Sequence, residues 1–424
     1  MAQLKAGFAK TDITPLEPVW MGGYDLRKAP SDGVHPGEKL FLRALVFANG
    51  ATRVAFLEAD IIMFRDHNAW RARISQSTGI PASHILIGDV HNHAAPAPDP
   101  QANPAWTRQL DQTIVPTVEQ AIAALRPVHI AAGQGSSHVA VNRRAVRPAD
   151  ADTYSTFDEN NRSQSYGEFR TDHPVKIHEF AGEMRLGANP GGPIDDTVQL
   201  VRIDSENGQP YALMIHYACH GTSLGGRNSK ISAEWMGRME SYVESQAPGL
   251  NAIYLQGAAG DVNPRVVGGL DGNVDSIETT HALGEEIGRE VLRVYRALTP
   301  EPATPAQSRI EVVTRDILLP RTYRELAANF RDPAVHAPTA AVRVGDLMWV
   351  TFPGELFNTI GKHVKAACPA TAAFLMGYTN GYIGYFPERQ AFAEGGYEPA
   401  VSHLAPNAEE IYMREIRGLM REFR

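Results

Sequence analysis

Cysteine is almost missing from this chain. Cys219 and Cys368 are the two among 424 residues, which excludes a disulfide framework and a thiolate zinc site. No stretch reaches the roughly 18 uninterrupted apolar residues that a membrane-spanning helix needs. Positive charge is also short: 40 Lys and Arg stand against 48 Asp and Glu, a formal charge of −8. Binding to a nucleic-acid backbone needs a basic footprint, so no nucleic-acid partner is expected. There are no internal repeats. The opening MAQLKAGFAKTDITP lacks a positive-then-apolar leader, so a cytoplasmic protein is expected as the sequence stands, secreted or periplasmic if a leader was removed. Histidine, by contrast, is plentiful at 15 residues, and hydrophobic residues make up 43% of the chain, enough to bury a large core.

The order of patterns predicts an α/β fold with mixed or parallel sheets flanked by helices. RVAFLEADIIMF (53–64) is one continuous apolar run, as expected of a central strand covered on both faces. A polar helix over 65–77 and a strand over 84–90 complete a strand–helix–strand unit, expected to be parallel and right-handed. Leu110, Ile114, Val118, Ile122 and Leu125 repeat at helical spacing around Pro116. Residues 150–195 are polar, poor in periodicity, and read as a long surface excursion. Two strands then flank the Asn207-Gly208 turn, and Leu283, Ile287, Val291, Val294 and Leu298 share one face of a later helix. TPEPATPAQ (299–307) reads as a solvated connector. Candidate site residues fall on both sides of it, so residues 1–424 are expected to form a single domain.

Polar residues gather where strands end. His91 and His93 close the strand at 84–90, just past its carboxyl end, where open α/β sheets keep their ligands. Residues at i and i+2 share one face of an extended strand, so the two imidazoles can meet one metal ion, or one can bind metal while the other moves a proton. Asn142 and Arg143, His220, Asp261 and Asn263, and Glu355 are placed at other strand ends. Glu355 is expected near a helix N-terminus, where the dipole would keep it ionised. Two histidines and a carboxylate with an open position make a reasonable catalytic zinc site. Cys219 adjoins His220, but neighbours on a strand point to opposite faces, which argues against a thiol nucleophile. Asp261 and Asn263 are read as site-lining or as turn-formers.

The succession of motifs is more specific than any of them alone. GFAKTDITP and MGGY (7–24), His91-Asn92-His93, NRR (142–144), ACHGTS (218–223), GDVNPR (260–265), GELFNTIGK (354–362), TNGYIGY (379–385) and YE (397–398) occur in an order that resembles the neutral ceramidase family of zinc-dependent N-acyl amidases. The resemblance spans nearly the whole chain and implies that family's catalytic-domain fold. Carried over by motif, it implies zinc ligands His91, His220, Glu355 and Tyr385, a proton-transferring His93, and Arg143 and Tyr397 at the substrate carbonyl. The implied reaction is attack of a zinc-bound water on an acyl carbon, with a small-molecule or lipid-like N-acyl substrate.

The departures bear on specificity. Asn263 stands where the family has Ser in Gly-Asp-x-Ser-Pro. His-Thr-His-Ser-Gly-Pro has become His-Asn-His-Ala-Ala-Pro. The chain closes with a helix near 406–422, without the C-terminal β-sandwich of typical ceramidases. An esterase, lactonase or small-amide hydrolase on the same scaffold therefore stays open, as does a non-catalytic binding protein, which the full ligand set argues against. Oligomeric state is open.

Overall fold

The computed structural model describes residues 3–147, 183–270, 272–302, 304, 308–322 and 332–423. Ten of its strands build an eight-stranded sheet and most of a three-stranded one. They are β1 (Lys5–Asp12), β2 (Phe41–Asn49), β3 (Thr52–Ala59), β4 (Ile85–Asp89), β5 (Arg126–Ser136), β6 (Ala140–Arg147), β7 (Glu183–Asn189), β8 (Thr197–Ser205), β9 (Pro210–Tyr217) and β10 (Asn251–Gln256). The large sheet runs β10-β9-β8-β5-β1-β2-β3-β4. It is antiparallel through its middle, and its two parallel pairs, β10 with β9 and β3 with β4, lie at opposite edges. β11 (Val262–Pro264) joins β6 and β7 in the small sheet. A third sheet has the order β12 (Ile310–Pro320), β13 (Ala334–Val344), β14 (Leu347–Thr351) and β16 (Ala372–Met376), and a two-residue ladder pairs β15 (Glu355–Leu356) with β17 (Tyr385–Phe386).

The alternation of side chains along each strand decides the layering. On β2, Leu42, Ala44 and Val46 face the helices α1 (His67–Thr78) and α2 (Pro104–Ala123), packing with Leu110, Ile114 and Val118. Leu45 and Phe47 point the other way, onto Trp349, Val342 and Phe374 of the four-stranded sheet. The far face of that sheet packs on the helices Asn358–Ala367 and Ala408–Met420 through Ile360, Val364, Tyr412 and Ile416. The order of layers is helix, sheet, sheet, helix. Strands covered on both faces are why residues 54–57 and 85–87 are apolar without a break. At the other end of the large sheet α3 (Glu234–Gln246) and α4 (Ile277–Ala297) cover β8, β9 and β10 with Met239, Val243, Leu283 and Ile287.

The expected mixed α/β architecture is present, with local differences. β3 stops at Ala59 instead of running to 64, because Asp60 turns inward to accept from Phe41 N–H at 2.8 Å and from Arg43 Nη1 at 2.7 Å. Asn142 and Arg143 lie inside β6, not at its end, and the pairing with β7 shifts register between Asn142 and Arg144. Most of the polar excursion expected over 150–195 falls outside the described residues, but 183–189 is a strand, with Met184 buried at its start. The connector expected at 299–307 also falls partly outside them. The helix expected at Glu355 begins at Asn358 instead, after the extended segment Pro353-Gly354-Glu355-Leu356.

Opposite edges of the large sheet meet at the site. Gln256, at the end of β10, donates from Nε2 to the carbonyl of Val90, just past β4, at 3.0 Å. The two loops that follow these strands are then stitched by a parallel bridge between Asn92 and Gly221, with His93 N–H donating to Gly221 O at 2.9 Å. His91 and His220 arrive from sheet edges that are remote in strand order.

Candidate metal centre

His91 leaves the end of β4 with φ of 55°, a left-handed conformation uncommon for a residue with a Cβ. Its Nδ1 is 2.8 Å from the carbonyl of Ile62. A carbonyl only accepts, so Nδ1 carries the proton and Nε2 is bare. His220 follows β9 and repeats the arrangement, with Nδ1 2.6 Å from Ala259 O and 3.0 Å from Val262 O. Both bare nitrogens converge on one carboxylate. Glu355 Oε2 is 3.0 Å from His220 Nε2, and Oε1 is 3.6 Å from His91 Nε2. All three side chains are buried, Glu355 at 1% exposure.

Three acceptors facing one another repel unless a positive charge lies among them. A proton or a metal ion meets that need. Imidazole Nε2 groups fixed by carbonyls behind them, plus a carboxylate, form a donor set suited to zinc. Burial pushes the Glu355 carboxyl up, yet the His91 and His220 imidazoles and the Arg143 guanidinium outweigh it and hold it down at about 2. Burial also lowers the His91 imidazole to about 4, so it stays neutral and able to ligate at neutral pH. The helix starts beyond Glu355, so its dipole is not at hand; the imidazoles of His91 and His220 and the Arg143 guanidinium do that work.

Glu355 is also the hub for two tyrosines. The β15–β17 ladder places Tyr385 directly across from it, and Tyr382 donates its hydroxyl to Glu355 Oε1. Tyr385 lies under the Arg143 guanidinium, 5.4 Å from ring centroid to Cζ, and edge-on to Tyr397 at 5.5 Å. Arg143 itself donates from Nη1 to His220 Nε2 at 3.2 Å and to Asn263 Oδ1 at 3.3 Å. His93 completes the group. Its ligand atoms and those of His91 and His220 lie within 4.8 Å of one another. Neither of its ring nitrogens has a hydrogen-bond partner among the described residues. A cavity of about 590 Å³ opens over these groups, lined by His91, His93, Glu355, Tyr382, Tyr385 and Tyr397 together with Tyr24, Asp25, Leu26, Ile62, Met63 and Val401.

The family described as neutral/alkaline non-lysosomal ceramidase, N-terminal, has a sequence model that matches residues 4–281. The chain belongs to this family. It is thereby a hydrolase acting on C–N bonds. A neutral ceramidase from Pseudomonas aeruginosa has a similar structure, with TM-score 0.75, 18% identity, and coverage of 99% of this chain and 74% of that one. A ceramidase complexed with C2 gives TM-score 0.75 and 17% identity, covering 100% of this chain and 76% of the other. At such identities the likeness establishes the ceramidase fold. No curated protein is similar enough to match the chain.

Seven of the nine residues singled out in the sequence meet around one point: His91, His93, Arg143, His220, Glu355, Tyr385 and Tyr397. Arg143, His220, Asp261 and Asn263 do not line the cavity itself, but Arg143 and His220 touch Tyr385 and Glu355, which do. Asp261 is structural: Oδ1 accepts from Asn358 N–H at 2.7 Å, Oδ2 from Asn142 Nδ2 at 3.0 Å, and burial raises its carboxyl to about 6. Asn263 stands behind Arg143 as a hydrogen-bond acceptor. Cys219 is fully buried, and burial pushes its thiol well above the ordinary range, so it is inert. Sequence reasoning missed Tyr382, Tyr378, which stacks on His91 at 4.2 Å, and Tyr24, edge-on to His93 at 5.0 Å. It also missed Glu398, although MGGY, TNGYIGY and YE were all singled out as segments. Among the described residues no helix is long and apolar enough to cross a membrane.

Proposed function

We propose that this chain is a zinc-dependent amidohydrolase that cleaves an N-acyl amide, with residues 1–424 acting as one metal-dependent hydrolase domain. The observation that carries the reading is the convergence of two carbonyl-oriented imidazoles on the Glu355 carboxylate, at the floor of a cavity that also presents His93, Tyr385 and Tyr397. His91, His220, Glu355 and Tyr385 would hold the zinc. Bound there, zinc supplies a Lewis acid for the acyl carbonyl and acidifies its water to a pKa of about 7. His93 takes the proton from the attacking water and returns it to the leaving nitrogen, a task suited to an imidazole whose nitrogens are uncommitted. Arg143 and Tyr397 donate to the oxyanion that develops on the acyl oxygen, a contribution of about 3–4 kcal/mol per donor.

The cavity lining adds apolar surface through Leu26, Ile62, Met63 and Val401, which supports a lipid-like or otherwise apolar acyl group. The similar ceramidase complexed with C2 supports the same choice. The test is metal analysis combined with a substrate panel of ceramides, short N-acyl amino acids, aryl amides, esters and lactones. One zinc per chain and turnover of amides are expected. Turnover confined to esters or lactones would overturn the amidase assignment, and full activity in metal-stripped protein would overturn the mechanism.

A further inference from the structure

Arg143 and Tyr397 come from segments remote in the chain, and one buried carboxylate joins them. Successive side chains on a regular strand leave opposite faces. At the register shift in β6 that rule is broken, as bulges re-aim side chains, and Arg143 and Arg144 both reach Glu398. Glu398 Oε1 accepts from Arg143 Nε at 2.8 Å, and Oε2 accepts from Arg144 Nη1 at 2.9 Å. Glu398 is 1% exposed. Arg144 in turn donates to Gly395 O at 2.9 Å and to Glu394 at 3.1 Å, fixing the chain just before the short helix Tyr397–Val401. The anchored Nε edge of Arg143 leaves its Nη1 to reach His220 and Asn263. A guanidinium is a planar fork, so holding one edge determines where the other points.

We propose that Glu398 is a positioning residue: one carboxylate aims the Arg143 guanidinium and seats the Tyr397 ring against Tyr385, so that both oxyanion donors are held as a unit. The inference rests on the acyl-hydrolase reading above. It assigns a function to a residue that touches neither the cavity nor the metal ligands.

The test is a double-mutant cycle of Glu398→Gln with Arg143→Ala, measured as kcat and KM on an acyl substrate that the parent protein cleaves. Zinc content and circular dichroism are recorded alongside. Glu398→Gln should lower kcat about a hundredfold, the scale of one oxyanion donor, with KM and zinc content nearly unchanged. In the Arg143→Ala background the same substitution should cost clearly less than in the parent, because one of the two donors it positions is gone and only the seating of Tyr397 is left to lose. Glu398→Gln leaves two buried guanidinium groups poorly compensated, so Glu398→Asp is the second variant. It keeps the charge but withdraws the oxygens by one methylene, and it should lower kcat by about tenfold while leaving zinc content intact. Losses that multiply in the double variant, or unchanged kcat in folded Glu398→Asp and Glu398→Gln, overturn the positioning role. A parent that cleaves no amide or ester would overturn the acyl-hydrolase reading and this inference with it.

Discussion

Replacing His93 with alanine separates two roles that its position permits: third imidazole ligand, or proton carrier. The backbone there is pinned without help from the ring. His93 N–H donates to Gly221 O at 2.9 Å, and His93 O accepts from Arg27 Nη1 at 2.7 Å. The ring packs edge-on to Tyr24 and makes no hydrogen bond among the described residues, so His93→Ala should cost about 1–2 kcal/mol of stability, the loss of partly buried packing. Its effect on rate should be far larger. Loss of a general acid–base lowers kcat by about 10²–10⁴, which is about 3–5 kcal/mol of transition-state stabilisation. Zinc affinity should fall by less than about tenfold, below the usual cost of losing even an outer-shell partner. His91→Ala, which removes a converging nitrogen, should release the metal. Competition with a chromophoric zinc chelator and single-turnover kinetics give the two readouts. The pH profile gives a third. Burial first, then the His91, His220, Arg27 and Arg143 charges, push His93 well below its ordinary range. A base acts in its neutral form, so activity should persist as pH falls through about 6.5 and be lost only at the lower folded-state value. A variant that loses zinc as readily as His91→Ala, or that keeps kcat, refutes the proton-carrier role; an acid limb at or above the ordinary histidine value refutes the electrostatic argument.

Three further outcomes are expected. Chelation should abolish turnover and lower the melting temperature, and added zinc should restore both in the parent but not in His220→Ala, as measured by activity and scanning calorimetry. Gly260→Ala would place a Cβ 2.4 Å from Glu355 O and 2.9 Å from Leu356 O, forcing β15 away, so chelator competition should show weaker zinc binding and calorimetry a lower melting temperature. Burial lowers His67 and His216 to about 4 each. The unfolded chain therefore binds these protons first, and stability is full above about pH 6.5 and lost as pH falls toward 4, about 3 kcal/mol per residue. Urea titrations across that window should show the loss, and His216→Gln should flatten it.

Much of the fold was legible because burial on two faces leaves a mark in composition. β3 and β4 read as apolar runs because both of their faces are covered, although β4 closes the strand order of the large sheet and β3 stands next to it. The histidines were legible because they stand where those runs stop. What could not be read was local pairing without pattern. The β15–β17 ladder is two residues long, yet it sets Tyr385 against Glu355; so short a ladder has no periodicity to detect. Glu355 itself was expected on a helix because Pro-Gly followed by a helical pattern suggests an immediate start, whereas Leu356 pairs with Phe386 before the helix begins. Glu398 was invisible for a different reason. Its partners Arg143 and Arg144 are both reached only because β6 slips register, and nothing in NRR announces a bulge. Asn263 was read in the sequence as lining the substrate site; in the structure its Oδ1 accepts from Arg143, a contact that no sequence pattern announces.

The backbone around the centre shows how the fold keeps these groups together. Among the described residues, four non-glycine residues adopt positive φ: His91 at 55°, Glu234 at 58°, Tyr378 at 52° and Asn380 at 64°. Each such conformation costs on the order of 1 kcal/mol or more and persists only where its surroundings over-determine it. Asn380 is held by Ile87 from both directions, donating N–H to Ile87 O at 2.8 Å and accepting Ile87 N–H on Oδ1 at 2.9 Å. Tyr378 donates its N–H to Gly354 O at 3.1 Å and stacks on His91. Glu234 accepts from the backbone N–H groups of Ser223 at 3.1 Å and Leu224 at 2.9 Å, bracing the turn that follows His220. Every one of these residues thus stands at or beside a candidate ligand, and hydrogen bonds to peptide groups help to hold it there. These peptide hydrogen bonds do not depend on a bound ion, so removing zinc should cost activity and some stability while leaving the secondary structure in place, which circular dichroism of the chelated protein checks.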